Sequence, residues 1–360
     1  MSEKSTYRVI QWATGSIGQI GIKQFARNPL FELVGCYVTS DAKAGTDAGE
    51  IAGIEPTGVV ATTDKDAILA LDADCVHYAP LMADLDDMCA ILESGKNLVT
   101  PSGFTFADAT RPDEVARLQK ACAAGSTSMH GTGIHPGFSG DLLPITLARL
   151  SFEIEQIIVQ EAADLRLHPS YEMNFPGLGF GRDPDDARAN KSPIVRVMDK
   201  IFRESQMMVA AALGLEVDEY THEHDVAVSK RRLEVRSGVI EAGTVAGQRF
   251  EWIAWSQGKP RIVFRSFWKM DDELEPNWDI KHLKYQVIME GYPSLRVTLE
   301  PAATFTGRDV EETEDKGLYG RYWTAMNGIN AIPAVCAAPA GIRTHLDLPF
   351  VQPKGLFTTP

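Results

Sequence analysis

Short apolar runs and amphipathic stretches alternate along residues 1–145 in the rhythm of strands followed by helices. Val9, Ile10 and Trp12 lead into a glycine turn, and residues 17–27 then carry a helical period. Residues 31–39, 58–62, 74–80, 96–100 and 126–131 read as further strands, and residues 84–93 and 111–124 as helices, the second opened by Pro112. Strand and helix at this spacing build βαβ units, so the pattern predicts a doubly wound parallel sheet. From residue 146 the texture changes. Residues 153–165, 226–235, 238–255, 261–270, 283–290 and 295–300 are rich in β-branched and aromatic side chains, often in period-two alternation, which predicts a mixed or antiparallel sheet. Residues 192–213, stopped by Gly214, and residues 319–333 read as helices. The expected fold class is α/β. Residues 1–145 form a doubly wound domain joined by the C-terminal segment 318–360, and residues 146–317 form an α+β domain for substrate binding and dimerisation.

Composition narrows the function. The chain of 360 residues is 44% hydrophobic and 23% charged, enough for substantial cores in two domains. Its formal net charge of −14 argues against binding nucleic acid, which needs a basic face; Lys230, Arg231 and Arg232 read as a solvated patch. No uninterrupted apolar run reaches the ~18 residues of a membrane span and no apolar leader opens the chain, so a cytoplasmic protein without membrane contact is expected. Cys36, Cys75, Cys89, Cys122 and Cys336 are odd in number and lack C-x-x-C spacing, so they read as reduced thiols rather than a disulfide or zinc framework. Apolar alternation between residues 226 and 300 exceeds what one domain covers easily, which predicts a homodimer through the second domain.

Ala13-Thr14-Gly15-Ser16-Ile17-Gly18 stands between the first strand and the first helix, the context of a dinucleotide fingerprint, with Ala13 in place of the first glycine of G-x-G-x-x-G. Gly15 lets backbone approach a pyrophosphate, Gly18 permits close packing of helix on strand, and the helix start at Ser16 and Ile17 favours phosphate charge. The first domain therefore reads as a Rossmann domain. At the tip of the second strand, where an acidic residue would hold an adenosine ribose, stand Val38, Thr39 and Ser40, with Asp41 one step late and Lys43 close behind. Two hydroxyls and an ammonium suit a 2′-phosphate, so the cofactor expected is NADP(H), with NAD(H) the alternative. Ligands of such sheets lie beyond the carboxyl ends of the strands. Ala79, Pro80, Thr100 and the loop of residues 132–137 fall on that edge.

Hydride transfer to a carbonyl or imine needs a proton donor, and His135 on that edge is the first candidate; its ring could equally contact only the cofactor amide. His168 and Tyr171 follow the first strand of the second domain and are further catalytic candidates or plain loop residues. His222-Glu223-His224-Asp225 lacks a third ligand at a convincing spacing and reads as a polar turn, so no metal is expected. Asp271-Asp272 and Glu311-Glu312 read as solvated loops. Residues 174–181 form a glycine-rich loop without G-K-[ST], a turn or a mobile cover. Asn330 either caps and bridges helices or meets the cofactor.

Taken together, the chain resembles the dihydrodipicolinate-reductase-like oxidoreductases, and within them the native amine dehydrogenases and 2,4-diaminopentanoate dehydrogenase. The carrying segments are 13–18, Gly131-Thr132-Gly133-Ile134-His135-Pro136-Gly137-Phe138 with Asp141-Leu142-Leu143-Pro144, then Asn330-Ala331-Ile332-Pro333, Ala338-Pro339-Ala340-Gly341 and Asp347-Leu348-Pro349. The resemblance implies an NAD(P)-binding Rossmann domain, an α/β domain supplying pocket and dimer contact, and hydride transfer at a C–N bond. It aligns His135 and Asn330 with asparagines on the nicotinamide side. The amine dehydrogenases carry a catalytic glutamate after the fifth strand, where this chain reads Thr100-Pro101-Ser102-Gly103-Phe104-Thr105-Phe106. Without that carboxylate, ammonia-dependent chemistry is expected to be weak, and Phe104, Phe106 and Phe138 suggest an apolar substrate pocket. Two functions follow: an NADP(H)-dependent oxidoreductase for a small or medium hydrophobic carbonyl, imine, alcohol or amine, and a catalytically altered NADP(H)-binding sensor or scaffold.

Overall fold

Parallel strands buried on both faces need nearly continuous apolar runs, and the first of them, β1 (Tyr7–Trp12), has Val9, Ile10 and Trp12 at 2% exposure or less. A computed structural model describes residues 4–357 apart from 109, 279, 281–284 and 311. In chain order β1 is followed by α1 (Ser16–Arg27), β2 (Phe31–Tyr37), α2 (Ala48–Ala52), β3 (Ala61–Thr62), α3 (Lys65–Leu69) and β4 (Cys75–Tyr78). Then come α4 (Leu85–Glu93), β5 (Asn97–Thr100), α5 (Pro112–Gly125) and β6 (Ser128–Gly131). The second region holds α6 (Leu142–Ala148), β7 (Glu153–Asp164), α7 (Pro184–Ala189), α8 (Pro193–Leu213), β8 (Glu219–Ser229), β9 (Leu233–Val235), β10 (Gly238–Ile240) and β11 (Val245–Ser256). It continues through β12 (Lys259–Lys269), β13 (Leu274–Glu275), β14 (Tyr285–Tyr292) and β15 (Leu295–Leu299), and the chain ends with α9 (Gly317–Ala337) and β16 (Gly341–Ile342).

The chain divides into two compact units, residues 1–137 with 321–360, and residues 138–320. The break falls earlier than residue 145 because α6 is capped by Asp141, whose carboxylate also accepts from Ser205 Oγ on α8 at 2.6 Å. Cutting inside α6 would sever that helix from its own unit.

In the first unit the sheet runs β16-β6-β5-β4-β1-β2-β3, all parallel, with the chain order reversing beside β1. Helix α1 lies close enough on β1 and β4 that only glycine fits at position 21. A Cβ there would stand 2.3 Å from Gln11 Oε1 and 2.7 Å from His77 Nδ1. His77 Nδ1 meets Gln11 Oε1 at 2.8 Å, so the ring nitrogen carries the proton, and burial pushes the histidine down to about 4. The strand expected at 58–62 shrinks to Ala61–Thr62, because Val60 turns away to bridge Asp47.

The second unit has a seven-stranded sheet, β13-β8-β11-β12-β7-β14-β15, antiparallel except where β12 runs parallel to β7. Its inner face packs on α8, with Trp252 stacked on Phe202 at 4.3 Å between ring centroids. The stretches expected at 226–235 and 238–255 break differently. Strand β8 begins at Glu219, and β9 with β10 forms a separate hairpin, joined to β11 by a turn at Gly243 (φ +80°). The expected polar turn at His222–Asp225 is thus part of β8. His222 bonds Asp199 and Lys191, and His224 stacks on Phe250. Among the described residues no group of histidine, cysteine and acidic side chains suits a metal ion.

Three further expectations change. Residues 174–181 are no mobile cover: Asn174, Leu178 and Phe180 are at most 1% exposed, and Gln248 Nε2 holds the Leu178 carbonyl at 2.7 Å. Asp271 is not solvated but 1% exposed, paired with Arg231, while Asp272 pairs with Lys269 and Arg166. Lys230 and Arg232 also reach carboxylates, so that basic run is an ion-paired edge. Glu311 lies outside the described residues; Glu312 pairs with Lys316. All five cysteines are free thiols, with Cys36, Cys75 and Cys122 buried. Burial pushes Cys36 up to about 12. Among the described residues no helix is long and apolar enough to cross a membrane.

Candidate active site

Backbone geometry at the end of β1 prepares a place for a dinucleotide. Ala13 adopts φ +69°, a conformation that favours glycine, and this turns its carbonyl toward α1. A Cβ at residue 18 would meet that oxygen at 2.0 Å, so Gly18 serves the packing of helix on strand. Gly15 is different. A Cβ there would meet nothing within 4 Å, so the protein's own packing does not require glycine at that point. No side chain caps the start of α1 and no acidic residue stands in its first turn, which leaves the opening N–H groups at Ser16 and Ile17 available to an anion.

A cleft of about 210 Å³ opens at this point, lined by Ala13, Thr14, Gly15, Val38, Thr39, Ser40, Lys43, Ala79, Pro80 and Leu81. The Lys43 ammonium reaches over the turn to Thr14, donating to its carbonyl and to Oγ1 at 3.2 Å each. Thr39 and Ser40 are exposed at the rim, and Asp41 is not part of the lining. A glycine whose Cβ position is open, an uncapped helix start and a rim of hydroxyls with a cation fit a nicotinamide dinucleotide.

Two strands, β4 and β5, separate β1 from β6, and the loop after β6 carries His135, half-buried, at the same carboxyl edge. The loop is folded tightly on itself. At Gly137 (φ +118°) a Cβ would stand 2.1 Å from Gly133 N and 2.6 Å from Thr132 Oγ1. Asn327 Nδ2 lies 2.7 Å from Thr132 Oγ1 and 2.9 Å from both the Gly133 and Gly137 carbonyls. His345 Nε2 reaches the same Thr132 hydroxyl at 3.1 Å. The sequence singled out Asn330, which sits half-buried one turn further along α9. It placed Thr132 in the edge loop but did not mark Asn327 or His345, because nothing in the spacing tells which asparagine of α9 meets a loop nearly two hundred residues earlier.

Other expected residues take structural duties. Thr100 is fully buried: its carbonyl accepts from Thr132 N at 2.8 Å and its hydroxyl from Ser102 N at 3.0 Å. Phe104, expected to line an apolar pocket, is 2% exposed in the first unit's core, with the Arg111 guanidinium 3.6 Å over its ring. Its backbone has φ +64°, and the chain at Gly103 and Phe104 comes so near β6 that a Cβ at Gly131 would stand 2.1 Å from the Gly103 carbonyl. Phe106 is half-buried. In the second unit Phe138 is half-buried, and its carbonyl accepts from Leu143 N. His168 is 6% exposed, with Ser170 N donating to Nδ1 at 3.4 Å. Tyr171 is 56% exposed and stacks on Phe175.

Residues 138–357 match the model of the 2,4-diaminopentanoate dehydrogenase C-terminal domain, more than half of the chain. The chain belongs to this family. An amine dehydrogenase of Streptomyces virginiae is 28% identical over 353 residues, covering 94% of this chain and 95% of the relative. A 2,4-diaminopentanoate dehydrogenase of Acetoanaerobium sticklandii is 22% identical over 268 residues, covering 73% of this chain and 69% of that one. Among solved structures, an amine dehydrogenase from Mycobacterium smegmatis superposes with a TM-score of 0.81 at 18% identity, covering 99% of this chain and 100% of the other. A scyllo-inositol dehydrogenase from Lactobacillus casei shares the fold more distantly, at a TM-score of 0.55 and 13% identity over 92% of this chain and 89% of that one. The family member described here is an NAD(P)-dependent oxidoreductase with a nicotinamide cofactor.

Proposed function

We propose that the protein moves hydride between NADP(H) and a small or medium hydrophobic carbonyl or imine, with the matching alcohol or amine as the reverse substrate. The single observation that carries the cofactor choice is Lys43 folded over the glycine turn at a rim of hydroxyls, with Asp41 outside the lining. When bound, the cofactor supplies the hydride at its nicotinamide ring. The chain holds the pyrophosphate at Gly15 and the start of α1, and a 2′-phosphate at Thr39, Ser40 and Lys43. Ala79 and Pro80 form the far side of the cleft. His135, on the same sheet edge, gives a proton to the oxygen or nitrogen that gains charge as hydride arrives, and Asn330 faces the nicotinamide side. The inner strands of the second unit's sheet alternate buried residues with half-buried Ile158, Ile253, Phe267 and Ile288, which supports a homodimer through the opposite face.

A second reading, in which the protein works at C–N bonds alone, is favoured by where acidic groups are buried. Residues 100–106, directly after β5, hold no carboxylate, yet in the second unit Asp141, Glu161, Glu204, Asp271 and Asp315 are all buried. The Streptomyces relative, an amine dehydrogenase, points the same way.

Purified protein is assayed for NADPH oxidation with a panel of hydrophobic ketones, with and without ammonia. Ketone turnover without ammonia supports the first reading, and turnover only with ammonia the second. Bound NADPH with no turnover of any substrate would leave the sensor. His135→Ala is expected to lower turnover about a hundredfold, with cofactor affinity within a few-fold. Titration should show NADPH binding about tenfold more tightly than NADH, a gap of about 1.4 kcal/mol, and Lys43→Ala should erase it.

A further inference from the structure

We propose that Asn327, acting with Thr132 and His345, is a positioning latch that fixes the loop carrying His135. This rests on the reading of His135 as proton donor. Three hydrogen-bond assignments make the argument. The side-chain atom of Asn327 nearest the loop has two backbone carbonyls, of Gly133 and Gly137, at 2.9 Å each. Carbonyl oxygens accept and do not donate, so that atom must be the amide nitrogen; an oxygen there would face acceptors only. The Thr132 hydroxyl donates its one proton to the Gly137 carbonyl at 3.2 Å. The two Asn327 N–H groups are thus shared among the two carbonyls and the Thr132 oxygen, 2.7 Å away, and His345 Nε2 meets the same hydroxyl at 3.1 Å.

The three partners arrive from separated segments. Thr132 follows β6, Asn327 sits on α9, and His345 follows β16, whose pairing with β6 sets its height. Helix α9 comes close at this level through Gly328, where a Cβ would lie only 3.8 Å from Thr132 Cγ2. Behind His345 the His130 ring stands edge-on at 4.7 Å, and His130 Nδ1 donates to the Arg343 carbonyl at 2.7 Å. Both ends of the loop, at Gly133 and at Gly137, are thus tied to one amide. His135 lies between them, so its placement depends on that amide.

Asn327→Asp is the sharpest probe, because it keeps size and shape while turning a donor into a carboxylate aimed at two carbonyls. In the full chain with NADPH bound, backbone hydrogen exchange in residues 132–138 should accelerate about tenfold or more, as expected for loss of bonds to charged-incompatible acceptors. Exchange in residues 13–18 and the Kd for NADPH should stay within about threefold, and kcat should fall about ten- to a hundredfold from misplacement of the donor. Thr132→Ser keeps the hydroxyl and should restore parental behaviour, whereas Thr132→Val, of nearly equal size, should reproduce the loosened loop. Unchanged exchange in Asn327→Asp, or Thr132→Ser as damaging as Thr132→Val, would overturn the latch. A loosened loop with unchanged kcat would overturn the positioning role; if His135→Ala were also fully active, the reading of His135 itself would fall.

Discussion

The two units take polar groups out of water in opposite ways. Among the described residues of the first unit the buried titratable groups are histidines, thiols and tyrosines held neutral, with two cations, Lys96 and Arg111, as the buried charges. Lys96 gives its protons to the Leu69 carbonyl at 2.6 Å and to Ser94, and Arg111 lies on an aromatic ring. In the second unit every buried carboxylate among the described residues is found, and donors hold them: Asp141 rests on Ser205 and Leu142 N, Asp271 on Arg231, Ser229 and Asp272 N, and Glu161 on Ser266 and Trp268. A parallel sheet buried on both faces offers few ways to compensate an anion, whereas an antiparallel sheet bordered by charged turns offers many. The buried carboxylates, absent from residues 100–106, thus fall within the segment 138–320, all of it inside the family match.

Acid is the largest lever on this difference. Burial holds His77 at about 4 and His130 at about 3, the latter helped by the neighbouring His345. Both lie below the unfolded value of about 6.5, so as pH falls through 6.5 the unfolded chain takes up protons that the folded one refuses. Stability is lost over that window, by up to about 1.4 kcal/mol per pH unit for each histidine. In the second unit Asp199, Asp271 and Asp272 are lowered; for Asp199 and Asp271 burial works against the effect, and hydrogen bonds from His222 and Lys191, or from Arg231, outweigh it. Their contribution persists until pH drops below the usual carboxylate range. His224, lowered by burial, is the second unit's exception. Hydrogen exchange at pH 7 and pH 4.5 should show the first unit's strands losing several kcal/mol of protection. His130→Asn, which retains a donor for Arg343, should flatten that loss; an unchanged slope in the variant would break the comparison.

The same contrast explains what was legible in the sequence. Strands of the parallel sheet announce themselves as apolar runs between glycine and proline signals, and β1, β2, β4, β5 and β6 fall where the pattern puts them to within two residues at each end. The second unit's edge is harder to read. In β8 seven of eleven residues are polar, because His222, His224 and Asp225 make side-chain bonds across the unit, and period-two reading mistakes such a stretch for a turn. The residues lining the cleft at the end of β1 were legible because they are local to two loops, Gly15 after β1 and Thr39, Ser40 and Lys43 after β2. Phe104 and Asn327 were not, since their roles depend on contacts with Arg111 and with the loop after β6 that spacing does not encode.

Asp271 sharpens the comparison at a smaller scale. Its carboxylate is 1% exposed and accepts from Arg231 at 3.2 Å and from Asp272 N at 2.8 Å. Asp271→Asn removes the charge while keeping the shape, and should cost about 2 kcal/mol at pH 7, the difference between charge-assisted and neutral hydrogen bonds in a buried site. Denaturant unfolding should show the cost shrinking as pH falls below about 4, where the unfolded parent takes up a proton that the folded carboxyl, held low by Arg231, accepts only at lower pH. A cost independent of pH would mean that packing, not charge, carries the site.

The smallest effect tests how the first unit accommodates a buried cation. The Arg111 guanidinium stands 3.6 Å from the centre of the Phe104 ring, while the Glu114 carboxylate is 3.7 Å from Arg111 Nη1 and 40% exposed. A screened, solvent-facing carboxylate contributes little, whereas a flat cation stacked on a ring away from water gains from both dispersion and the ring's quadrupole. Arg111→Lys keeps the charge but loses the planar stack, so it should cost about 1 kcal/mol, seen as a melting shift of a few degrees or less in a chain of this size. Glu114→Gln should cost less than about 0.5 kcal/mol, and 0.5 M salt should leave the difference between the two variants unchanged. If Glu114→Gln proved the more damaging, or if salt abolished the cost of Arg111→Lys, the first unit would be relying on a carboxylate after all, and the contrast between the units would fail at the point where it is drawn most finely.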